Sequence, residues 1–176
     1  VMAWTILVCG CGYQPTQPAP KAAAPEKGSV VDKNRILIDL SESPRTQFGK
    51  VDFEKQTDVQ RVFSCIWGLE GQVNNGGFLQ YYANTDGEAA YEAVTALQQI
   101  GARRAAEIVR QANSVFQDGL PPTDRVERQK QLAALPKTAK RHLEDLGNQF
   151  IAFPDDLTEL LYDFVKRHPQ EFGRVD

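Results

Sequence analysis

Glu70-Gly71-Gln72-Val73-Asn74-Asn75-Gly76-Gly77-Phe78-Leu79-Gln80-Tyr81-Tyr82 is the stretch whose reading decides the fold. Upstream of its centre, Val59, Val62, Phe63, Ile66, Leu69 and Val73 recur at the spacing of one helix face. Downstream, Phe78, Tyr81 and Tyr82 resume helical spacing. Between them, Asn74-Asn75-Gly76-Gly77 stops the first helix, because Asn and Gly accept the left-handed conformation that helix C-termini use. Two helices are therefore expected, the second returning across the first. Glu70 falls on the apolar face between Ile66 and Val73, so its carboxylate either snorkels at the core edge or is buried with hydrogen-bond partners.

Two readings of this junction compete. One is a packed corner whose amides cap backbone groups and whose aromatics fill the core. The other is a polar pocket in which Glu70, Asn74, Asn75 and Gln80 converge on a ligand or partner. With Tyr81 and Asn84, these residues form the candidate interaction surface.

Working outward, the pattern predicts an all-α fold: a single compact bundle of about six to seven helices over 53–176, behind a disordered tether. The first helix spans about 52–73 and the short returning helix about 78–83. Thr85 or Asp86 can cap the next helix, over 88–100, which Gly101 ends. The segment 102–116 repeats the apolar pattern, and the two read as an antiparallel pair with alanine on the facing sides. Residues 125–135 form a polar helix placed on the surface for want of apolar side chains. After it come a helix over 138–153 and a last one, opened by Pro154-Asp155-Asp156 with an aspartate cap, lined by Leu157, Leu160, Leu161, Phe164, Val165 and His168, and ended by Pro169. Residues 35–52 read as an irregular lead-in, in which 35–40 suits a short strand or a helical turn.

The run Glu70-x-Gln72-Val73-Asn74-Asn75-Gly76-Gly77-Phe78-x-Gln80-Tyr81, with Asn84 and then Ala96-Leu97-x-x-Ile100-Gly101-Ala102, resembles the DNA-mimic protein domain family. The resemblance covers about residues 53 to 167. It implies a compact all-α domain of mostly unassigned function. For the member that names the family it also implies a homodimer whose acidic surface occupies a DNA-binding protein in place of DNA. It brings no catalytic residues.

Charge does not reinforce mimicry. The formal net charge is −3, and from Lys50 onward 15 Lys+Arg face 19 Asp+Glu. Duplex DNA carries about one charge per 1.7 Å of axis. Arg103, Arg104, Arg110, Arg125, Arg128 and Arg141 dilute any acidic surface. Direct nucleic-acid binding is not expected either, since no basic stripe with interleaved aromatics is present.

The first eleven residues are apolar and too short to span a bilayer, which takes about 20 apolar residues. They read as the end of a signal-peptide hydrophobic region. Val8-Cys9-Gly10-Cys11 looks like a bacterial lipobox, with Cys11 as the acylated residue and Gly10 as the small residue before it. Residues 12–34 are rich in proline and alanine, the composition of an extended tether. Anchor, spacer and domain make a lipoprotein of the bacterial envelope, held to the membrane by its lipid and contacting an unknown protein partner. A misassigned start on a cytoplasmic protein, regulating a DNA-binding partner, is the alternative.

No cofactor, metal site or catalytic constellation is expected. His142 and His168 stand in different helices without ligand spacing, and the adjacent pairs Glu144/Asp145 and Asp155/Asp156 point to different sides. Cys65 has no neighbouring base to activate it and suits the core edge. The chain therefore reads as a non-enzymatic interaction domain, with a small-ligand binder or enzyme at the junction as a further alternative.

Overall fold

A computed structural model describes residues 31–43 and 53–175. Among the described residues the secondary structure is helical throughout, with eight α-helices. These are α1 (Lys33–Ser41), α2 (Asp58–Ala83), α3 (Ala90–Ile100), α4 (Arg103–Asn113), α5 (Arg125–Ala134), α6 (Lys137–Ile151), α7 (Leu157–Lys166) and α8 (Pro169–Phe172). Single 3-10 turns cover Phe53–Lys55, Thr85–Ala89 and Gln117–Gly119. Cys11, most of the expected tether and residues 44–52 lie outside the described residues. No helix of the described residues is long and apolar enough to cross a membrane.

α2 is the axis of the bundle, packing against α3, α5, α6 and α8. Thr57 opens it with a capping box: its hydroxyl accepts from the Gln60 amide, and the Gln60 side chain accepts from the Thr57 amide. At Gly76 and Gly77 the helix bends, with Gly77 at φ 68 and ψ −171. Only glycine holds that conformation without strain, so the Asn-Asn-Gly-Gly run makes the corner that its composition predicts.

Both limbs of α2 face the same core. Phe63, Ile66, Leu69 and Val73 come from the first limb, and Phe78, Tyr81 and Tyr82 from the second; all seven are fully buried. The Phe78 ring stacks on Tyr82 with centroids 6.0 Å apart and meets Phe150 of α6 edge-on at 6.0 Å. Tyr82 meets Phe116 edge-on at 4.8 Å. Each such side chain contributes about 1.5–3 kcal/mol by burial. α3 and α4 form the expected pair, joined at Gly101, and bury Ala93, Ala96, Ala105, Ala106 and Ala112.

Four details differ from expectation. The irregular lead-in opens with α1, whose Leu37 and Leu40 are buried and which packs on α7. Neither Thr85 nor Asp86 caps a helix, since Asp86 is held elsewhere (below). α5 is not a mere surface helix, because it buries Leu132 and all of Arg128. Of the two aspartates after Pro154, Asp156 caps α7, while Asp155 crosses to the amides of Arg104 and Ala105 at the start of α4.

Gly77→Ala is expected to cost about 1–3 kcal/mol by urea unfolding, since alanine cannot occupy that backbone conformation without strain. Gly147→Ala across the same contact should be neutral or stabilising by up to ~1 kcal/mol. Its new Cβ would meet Gly77 Cα at 3.6 Å, an ordinary contact.

Candidate functional site

The corner is held shut by one side chain. Gln72, one turn before the bend, accepts through Oε1 from Gln80 Nε2 at 2.9 Å and from Asn84 Nδ2 at 2.7 Å. Its own Nε2 donates to Asp86 Oδ2 at 2.6 Å. One carboxamide therefore ties the first limb of α2 to its second limb, to the helix end and to the following turn. Both lone-pair positions of its oxygen and one of its two N–H groups are used, so it has little left to offer a ligand.

The end of the second limb is capped from α5. A helix C-terminus leaves its last carbonyls unpaired and carries partial negative charge. Arg128 answers both needs. Nε donates to Tyr82 O at 2.8 Å and Nη2 to Asn84 O at 2.8 Å, while Nη1 donates to Pro122 O at 2.6 Å and Thr123 O at 3.0 Å. Gln129 Nε2 and Arg125 Nε donate to Ala83 O at 2.7 and 3.2 Å.

Arg128 is fully buried and forms no ion pair among the described residues, so backbone dipoles carry the compensation. Burial lowers its pKa from the ordinary arginine value, and the field of Glu88 partly restores it. Gly87 makes the room: a Cβ there would stand 2.7 Å from Tyr81 O and 2.9 Å from Arg128 Nε.

The six candidate surface residues divide. Gln80 and Asn84 belong to the clamp on Gln72. Tyr81 faces the core, with its hydroxyl buried and unpartnered, so its ring cannot touch a partner. Burial pushes its pKa, and that of Tyr82, well above 10. Tyr82 finds a partner, donating to Asn113 Oδ1 at 2.7 Å; Asn113 in turn donates to Ala90 O at 2.9 Å. Asn74 and Asn75 stand exposed at the bend and make no side-chain hydrogen bond among the described residues. Glu70 is half-buried and likewise has no hydrogen-bond partner among the described residues. Burial raises its pKa, and the Asp156 carboxylate adds to the rise.

The residues that hold this arrangement, chiefly Gln72, Asp86 and Arg128, were not among the candidates. Gln72 and Asp86 sit in or beside the quoted stretch, but nothing in their spacing marks a hub. Arg128 has no local signal, because its partners lie up to 46 residues away.

Elsewhere, Cys65 is buried, and its thiol is pushed up to about 12, chiefly by desolvation. His142 is exposed, and His168 Nδ1 lies 2.8 Å from Phe164 O. Among the described residues no group of three His, Cys, Asp or Glu side chains could hold a metal ion.

This glycine–aromatic corner lies inside the segment 54–168, which matches the DMP19-like protein family. The chain belongs to that family. The matched segment runs from the turn before α2 to the end of α7, so both clamps fall inside it and α1 outside it. No curated protein and no solved structure matches the chain.

Arg128→Met leaves four carbonyls without their buried donor and should cost about 3 kcal/mol or more in chemical unfolding. Arg128→Lys should recover little, because an ammonium group cannot span that fork of acceptors. Glu70 gives a pH signature. Its carboxyl pKa is raised above 4.5 in the fold, so the fold binds that proton more tightly than the unfolded chain. The stabilising contribution is complete below 4.5 and fades as pH rises through the folded value. Glu70→Gln should therefore stabilise the protein at pH 7, and the gain should vanish in melts below pH 4.5.

Proposed function

We propose that this member of the DMP19-like protein family is a non-enzymatic protein-binding domain, held at a bacterial envelope membrane by a lipid on Cys11. The observation that carries the reading is the division at the corner. Its convergent polar groups satisfy one another through Gln72, while Asn74 and Asn75 face solvent with free donors and acceptors. A closed clamp suits a rigid contact surface better than a substrate pocket. Glu70, beside the asparagines and without a partner, supplies a carboxylate that a basic or hydroxyl group of a partner can satisfy.

The charge pattern supports contact with a protein in the absence of DNA mimicry. Ion pairs join Arg61 to Asp58, Arg110 to Glu107 and Lys130 to Glu127, so carboxylates on α2, α4 and α5 are neutralised locally. A mimic of duplex phosphates needs those carboxylates unopposed. The anchor rests on the lipobox-like Val8-Cys9-Gly10-Cys11 and the proline-rich stretch after it. One acyl chain holds a protein only marginally, whereas a diacylglycerol supplies the two chains that stable attachment takes.

The test is site-specific photocrosslinking in cells, with the probe at Asn75 and a control at the exposed Thr138 of α6. One discrete protein adduct from Asn75 and none from Thr138 is expected. Equal labelling at both positions, or none at Asn75, would overturn the contact surface. In the same cells, Cys11→Ala should shift the protein from the detergent phase to the aqueous phase; unchanged partitioning would refute the anchor.

A further inference from the structure

A second surface lies between α4 and α6. It is an open groove of about 530 Å³ with an apolar floor of Ile108, Ala152 and Pro154. Arg103 and Arg104 form one wall. Phe153 stands in the chain between the lining residues Ala152 and Pro154 and is 54% exposed.

Three residues around this groove are poor choices for the fold. Arg103 and Arg104 are the first two residues of α4, where the helix dipole favours acids and disfavours cations. Neither guanidinium has an ion-pair partner among the described residues. The fold answers with Asp155, whose Oδ2 accepts from the amides of Arg104 and Ala105 at 2.8 and 2.9 Å. Phe153 follows α6 at φ 50, a left-handed position that, where a helix ends this way, glycine usually fills. A bulky residue there is strained, and its ring is half in water. Local rules broken together at one concave site, with no gain to the fold, mark a functional surface.

We infer that this groove docks an acidic amphipathic helix of a partner protein. Charge complementarity selects the occupant. Glu107, the one carboxylate lining the groove, is taken up by Arg110 and by Gln111 Nε2 at 2.9 Å, and Asp155 is spent on backbone amides. That leaves two free guanidinium groups beside an apolar floor. A helix laid between two helices offers apolar anchors at three- and four-residue spacing to Ile108, Ala152, Pro154 and Phe153. Carboxylates on its flank reach Arg103 and Arg104, where arginine forks pair with them bidentately. Eleven residues of α4 give a contact of about 16 Å, enough for roughly three turns of a partner helix.

The test uses the full chain and two labelled synthetic peptides read by fluorescence anisotropy. Both are amphipathic helices with leucine at the anchor positions, one with glutamate flanks and one with lysine flanks. Saturable binding of the glutamate peptide alone is expected. The double variant Arg103→Glu with Arg104→Glu should weaken it about tenfold or more. Phe153→Gly should weaken it as well. Phe153→Gly should also melt at higher temperature than the parent chain, because it relieves the left-handed strain. That opposition of binding and stability is what a purely structural role would not produce. Equal binding of both peptides, or binding that survives the double substitution, would overturn the inference. So would a groove closed by self-association, seen as a concentration-dependent mass that the same variants abolish.

Discussion

The bundle depends on a helix reversing direction in two residues while every polar group at the reversal still finds a partner. Gly76 and Gly77 supply the backbone freedom, and Gln72 and Arg128 supply the hydrogen bonds. The two clamps act on successive parts of the second limb. Gln72 holds it against the first limb, and Arg128 closes its C-terminal end. Between them Phe78, Tyr81 and Tyr82 are pressed into the core. An unpaired buried carbonyl costs about 1–3 kcal/mol, so without the clamps the burial of three aromatic rings would be largely offset.

The arrangement also explains why the corner suits recognition. A surface held on rigid elements loses little conformational entropy on binding. Asn74 and Asn75 ride on a bend that is fixed from both sides, yet their own side chains are free. Half-buried Glu70 has a raised pKa because burial, and then the Asp156 carboxylate, disfavour its charged form. A partner that donates to it would relieve that cost. The α4–α6 groove follows a different logic, in which fold stability is conceded to expose arginines and an aromatic ring.

Much of this was legible in the residue order. Helical periodicity around the Asn-Asn-Gly-Gly run placed the corner, and Phe78, Tyr81 and Tyr82 fell on one side as their spacing requires. Gly101 and Asp156 ended and began helices as their chemistry predicts. What stayed hidden was tertiary. Tyr81 lay in the same stretch as the asparagines and was grouped with them, but the bend turns it inward. α5 was polar at most positions, and only the meeting of its Arg128 with carbonyls 44 and 46 residues away reveals that one charge is internal. Asp86 and Asp155 had the composition of local caps, but each answers a distant group. Phe153 gave no warning in sequence, because strain is a property of the backbone it ends.

Native-state hydrogen exchange across a urea series tests the central claim most directly. If the glycine corner and its two clamps make the second limb part of the core, the amides of Tyr81, Tyr82 and Asn84 exchange only through global unfolding, with the full urea dependence of the whole domain. Exchange of those amides through a local opening that is insensitive to urea, while the first limb stays protected, would contradict it.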